Sequence, residues 1–117
     1  MRKLMVQLSG TVDAPTARVI DLLARRLSGT PGLDPARVEV DRERGRLAYQ
    51  GGWWYRGEYD VVGEESGGTR VTHRVYNVAS PGSRWAVPLA NRLFIGFREK
   101  TEAGFHELLR EAGEEGL

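Results

Sequence analysis

The final third of the chain is one long amphipathic stretch, entered through Trp85 and Pro88 and running to about Ala112. At 100° per residue, Ala90, Leu93, Phe94, Phe97, Thr101, Gly104, Phe105, Leu108 and Ala112 share one face. Arg92, Ile95, Glu99, Glu102, His106 and Arg110 point away. A helix that is apolar on one side must lay that side on a partner. What precedes it is a block of aromatic, period-two segments with nothing else to pack against. The order therefore predicts an α+β architecture in which a curved antiparallel sheet of about five to six strands wraps around a long C-terminal helix.

The rest of the chain supplies those strands. Leu4, Val6, Leu8 and Gly10 alternate with Met5, Gln7, Ser9 and Thr11, a first strand ending near Val12. Asp13-Ala14-Pro15-Thr16 brings side-chain acceptors for orphan amides and a proline suited to a first helical turn. Val19, Ile20, Leu22, Leu23 and Leu27 then give a helix a broad apolar face, with Arg18, Asp21 and Arg25 left wet and Gly29 placed to cap it. Val38 and Val40 start a meander. A turn at Arg42-Glu43-Arg44-Gly45 leads to Leu47, Ala48 and Tyr49, and Gly51-Gly52 breaks or bulges that strand. Trp53 to Gly63 and Thr69 to Val78 form a hairpin around the five-residue loop Glu64-Glu65-Ser66-Gly67-Gly68.

Charge and apolar matching set the register of that hairpin. With Gly63 opposite Thr69, Val61 meets Val71, Tyr59 meets His73, Gly57 meets Val75 and Tyr55 meets Asn77 on one face. The other face pairs Asp60 with Thr72, Glu58 with Arg74 and Arg56 with Tyr76, an opposite-charge pair and a cation–π pair. A slip of one residue would bury Glu58 and Asp60.

Composition narrows the function classes. At 117 residues the chain is read as one domain, 1–117. A net charge of +1 with both signs interspersed offers no basic stripe for nucleic acid. The absence of cysteine excludes disulfides and thiolate catalysis. No apolar run approaches the roughly 20 residues of a membrane span. The segment from Met1 turns polar at Gln7 before a signal-peptide core forms, so a cytoplasmic location is expected.

Val12-Asp13-Ala14-Pro15 followed by Val19, Leu22 and Leu23, together with the closing run from Trp85 through Pro88, Leu89, Leu93, Phe97, Phe105 and Leu108, resembles the START/Bet v 1-like (SRPBCC) superfamily. That superfamily includes polyketide cyclase-like and lipid-transfer-like proteins. The resemblance implies a helix-grip fold with a pocket for a small hydrophobic molecule between sheet and C-terminal helix. Members usually carry a second short helix and six or seven strands. This chain has room for about five, so a sheet edge is left that another copy could cover in a homodimer.

Phosphate-cradling, nucleotide-binding, nucleophile-elbow and zinc-protease signatures are all missing. His73 and His106 fall on separate elements, with His106 facing solvent, so no metal site and no cofactor is expected. His73, near Tyr59 and Asn77 on the concave face, either orients a ligand or is a core histidine satisfied by Tyr59 or by backbone. Trp53 and Tyr55 share a face opposite Trp54 and are either core filling or a stacking wall, and Trp54 beside Arg56 is a candidate interface anchor. Arg92, Arg98 and Lys100 either reach an acidic ligand at a pocket mouth or, the favoured reading, belong to a solvated face with Glu99 and Glu102.

The expected ligand-lining set is Tyr49, Trp53, Tyr55, Tyr59, His73, Asn77, Phe94 and Phe97, with aromatic faces supplying burial and His73 and Asn77 fixing orientation. The leading expectation is binding of a small hydrophobic ligand. The alternatives are a cyclase- or dehydratase-like enzyme using His73 with Tyr59, and a ligand-free module that dimerises through a sheet edge or Trp54.

Overall fold

The computed structural model describes residues 3–29, 37–51, 55–65, 67–79 and 97–115. Five strands, β1 (Lys3–Val12), β2 (Val38–Asp41), β3 (Arg46–Gly51), β4 (Tyr55–Gly63) and β5 (Thr69–Asn77), accompany helices α1 (Thr16–Gly29) and α2 (Phe97–Glu115). The strands form one antiparallel sheet in the order β1-β5-β4-β3-β2, so the chain's first strand closes the meander by pairing with its last. The expected start of the closing helix near Pro88, and Trp53, Trp54, Trp85 and Phe94, lie outside the described residues.

The β4–β5 register is the one the charge pattern selects, from Tyr55 opposite Asn77 to Gly63 opposite Thr69. The buried face of the hairpin takes Gly57, Val61, Val71, His73 and Val75, and the charges remain outside. Those charges are shared differently from the simple opposed pairs. Arg74 reaches diagonally to Asp60, and Arg56 binds Glu58 along its own strand at 2.9 Å and Glu39 on β2 at 3.2 Å. Diagonal neighbours in a sheet are within reach of long side chains, so the arginines are not confined to the residue directly opposite.

β1 departs from simple alternation. Leu4 pairs with Tyr76 and Val6 with Val75, so Met5 is an extra residue at a bulge. The bulge turns Leu4 outward, where it is 48% exposed, away from the face it would share with Val6 and Leu8. The turn between β2 and β3 relies on Gly45, whose φ of 66° suits a residue without Cβ and whose carbonyl accepts the Val61 amide at 2.7 Å.

Helix α1 begins where Pro15 leaves its carbonyl to the amides of Arg18 and Val19, at 3.1 and 3.2 Å. The fully buried Thr69 hydroxyl donates to the Ala14 carbonyl at 2.6 Å and ties this entry to the start of β5. Val19, Ile20, Leu22, Leu23 and Leu27 are all buried, the face the 3.6-residue period indicates. They meet Leu47, Val61 and Val71 from the sheet and Phe105, Leu108 and Ala112 from α2 in one core. Burying a side chain such as Leu23 contributes about 2 kcal/mol. The helices divide the sheet between them. α2 packs on β1, and α1 packs on β2, β3 and β4. Gly10 is the point of close approach on β1, where a Cβ would overlap Leu109 and come within 3.6 Å of Phe105.

Candidate functional site

Splaying two helices over one sheet leaves space between them, and the residues in that space come from neighbouring strands. Tyr49 on β3, Tyr59 on β4 and His73 on β5 all project toward the helices, because Tyr59 is opposite His73 and Tyr49 is opposite Gly57. Gly57 matters because a Cβ there would overlap the Tyr49 ring and lie 2.6 Å from its hydroxyl oxygen. Glycine lets that ring lie across β4 between Tyr55 and Tyr59.

The result is a continuous aromatic wall. The Tyr59 and His73 rings stack with centroids 4.2 Å apart and planes within 8°. Tyr49 lies 6.3 Å from Tyr59 and 5.6 Å from Tyr55, and its hydroxyl is 3.0 Å from the Tyr55 hydroxyl. From α2, the Phe105 ring comes within 6.1 Å of His73. This wall borders a cavity of about 460 Å3, into which Leu23, Arg26 and Leu27 of α1 and Phe97, Lys100, Thr101 and Leu108 of α2 also face. A void of that size is in the range of small-molecule sites.

The polar groups of the aromatic wall are neutral near pH 7. Burial pushes the His73 imidazole down from the usual 6.5 to about 4. Burial, then the neighbouring tyrosines, push the Tyr49 phenol strongly up; burial raises Tyr55 and Tyr59 as well. His73 is only 6% exposed, and its Nε2 has no hydrogen-bond partner among the described residues. The expected core histidine satisfied by Tyr59 is therefore not what forms at this atom, because Tyr59 meets His73 face to face and not through its hydroxyl.

Five of the residues singled out from the sequence converge on the cavity: Tyr49, Tyr55, Tyr59, His73 and Phe97. Asn77 is placed otherwise. It is buried, and its Oδ1 accepts the Ala79 amide at 3.0 Å, holding the chain as it leaves β5. Trp53 and Phe94 lie outside the described residues. Sequence reasoning passed over Arg26 and favoured a solvated face for Lys100 over its alternative place at a pocket mouth, and both line the cavity. The signal for Arg26 was present, because it lies three and four residues after Leu23 and Leu22 and therefore beside the apolar face of α1. His106 is exposed, as its helical position indicates, and no cluster of three or more metal-ligating side chains occurs among the described residues.

The fold has solved counterparts. The Zhui aromatase/cyclase from a Streptomyces species superposes with a TM-score of 0.62 at 16% identity, covering 96% of this chain and 94% of that one. The di-domain ARO/CYC StfQ of the steffimycin biosynthetic pathway gives 0.55 at 17% identity, with 96% of this chain matching 44% of the larger protein. TTHA0849 from Thermus thermophilus gives 0.51 at 19% identity over 98% and 95% of the two chains. No protein-family model matches the chain, and neither does any curated protein. The architecture is thus the α+β fold the sequence pattern predicts, an antiparallel sheet packed on a long C-terminal helix, shared with these solved structures. At these identities the likeness speaks for the fold, and function has to be argued from the site.

Proposed function

We propose that the protein binds a small, flat, largely apolar molecule in the cavity between the sheet and its two helices. The observation that carries this reading is the roughly 460 Å3 cavity walled by aromatic rings, one of which, His73, has a buried Nε2 without a protein partner among the described residues. An unsatisfied buried polar atom costs on the order of 1–3 kcal/mol, and a ligand hydroxyl or carbonyl supplies the missing bond. The rings of Tyr49, Tyr55, Tyr59 and Phe105 offer the faces against which a planar body stacks. Because the imidazole and the phenols are neutral at pH 7, they orient the ligand by hydrogen bonds without burying a charge.

Native mass spectrometry of gently purified protein tests the proposal, with the denatured mass as reference. A non-covalent adduct lost on denaturation is expected, and the same spectra read out a homodimer formed through an edge strand, β1 or β2. For the ligand-free protein, a fluorescence titration with 2-naphthol should saturate, and His73→Phe, which keeps the ring stack and removes the polar atom, should weaken it. Neither an adduct nor saturable binding of any planar phenol at millimolar concentration would sink the proposal.

A second reading is a cyclase- or dehydratase-like enzyme, favoured by the aromatase/cyclase names of two structural counterparts. In it His73 moves a proton at Nε2 while Tyr59 and Tyr49 hold a carbonyl. A group near pKa 4 is almost wholly in its free-base form at pH 7 but is a weak base, which suits orientation better than proton abstraction. Full turnover by His73→Ala with the true substrate would remove this reading.

A further inference from the structure

The cavity has two chemically different ends. At its buried end stand His73 and the tyrosines, all neutral near pH 7. Its exposed lining residues mark the mouth, and they include Arg26 on α1 and Lys100 on α2. No aspartate or glutamate lines the cavity among the described residues, where the charged lining side chains are Arg26 and Lys100. Arg26 is held at the mouth by Glu111 of α2 at 2.9 Å, with about 40% of each side chain exposed. That pairing fixes the position of the guanidinium at the mouth. Lys100 has no ion-pair partner among the described residues and carries its charge on a flexible stem.

Resting on the binding reading above, we propose that the ligand is an amphipathic organic anion. Its planar apolar body enters toward His73, carrying a hydroxyl or carbonyl at the inner end, and its carboxylate or other acidic group stays at the mouth between Arg26 and Lys100. The arrangement leaves the charge partly hydrated, avoiding the desolvation that a buried anion would suffer. It also gives the ligand one entry direction, since the reverse orientation would set an anion against neutral buried walls.

Four matched fluorescent probes test the two ends separately: 6-hydroxy-2-naphthoate, 6-hydroxy-2-naphthamide, 2-naphthoate and 2-naphthamide, titrated at pH 7 in low salt. The carboxylates should bind about five- to tenfold more tightly than the matching amides, and 0.5 M salt should erase most of that difference. Lys100→Gln, and Arg26→Gln together with it, should remove the preference for carboxylate over amide. Arg98→Gln is the control, because Arg98 is on the same helix, pairs with Glu102 at 2.9 Å and does not line the cavity. It should leave the preference intact.

Equal affinity for carboxylate and amide, or a preference that survives loss of both cations, would overturn this inference while the binding reading stands. Arg98→Gln lowering the preference as much as Lys100→Gln would also overturn it, since net charge and not the mouth would then be the cause. Failure of all four probes to bind overturns the binding reading itself and this inference with it.

Discussion

Acidification should expose the state of His73 directly. Its imidazole is held near pKa 4 in the folded protein against 6.5 when unfolded, and burial is the cause. Between those values the unfolded chain takes up a proton that the folded chain refuses. Stability from this residue is therefore complete above pH 6.5 and is lost progressively as the pH falls toward 4. A difference of roughly 2.5 at about 1.4 kcal/mol per pH unit makes the loss about 3 kcal/mol, a large part of the 5–15 kcal/mol typical of a domain. The assay is urea unfolding at half-unit steps from pH 7.5 to 4, on wild type and His73→Phe. Carboxylates that titrate in the same range are common to both proteins, so the difference between the two curves isolates the histidine. Wild type should lose about 3 kcal/mol more than the variant across the window. A difference flat to within about 0.5 kcal/mol would refute the buried, neutral histidine, and a wild type gaining stability on acidification would reveal a carboxylate partner.

Three more outcomes follow from the same geometry. Gly57→Ala should drive the Tyr49 ring off β4, breaking its bond to Tyr55 and moving it into the cavity; overpacking of this kind costs about 1–2 kcal/mol after the backbone gain from replacing glycine, read by urea melts, and binding of 2-naphthol should fall in parallel. Thr69→Val keeps the volume but strands the Ala14 carbonyl, so a loss of about 1–2 kcal/mol in urea unfolding is expected. A double-mutant cycle on Arg26 and Glu111, both half exposed, should give a coupling below about 1 kcal/mol that fades with salt, showing that this pair positions a side chain more than it stabilises the fold.

Short-range pattern carried much of the architecture. The buried set of α1 follows from apolar spacing, and the β4–β5 register follows from keeping Glu58 and Asp60 out of the core. The expectation that Tyr59 and His73 would be neighbours rests on that register alone. Both inferences work because a helix or a hairpin repeats over a few residues, and a mismatch is penalised within the same element. The bulge at Met5 was not legible, because an extra residue in one strand is decided by the pairing partner and leaves no break in the alternation of β1 itself.

What tertiary structure alone decided is which side chains face the space between α1 and α2. Arg26 and Lys100 are far apart in sequence and ordinary surface residues by local pattern, and they meet at one mouth because α1 packs on β2 to β4 while α2 packs on β1. The same placement leaves His73 Nε2 buried with no donor or acceptor from the described residues, while Asn77 turns to the Ala79 amide. A sequence determines which faces are apolar. Only the packed chain determines how far two such faces stand apart, because that distance is set by side chains on both sides at once, and the cavity with its chemistry is the space that remains.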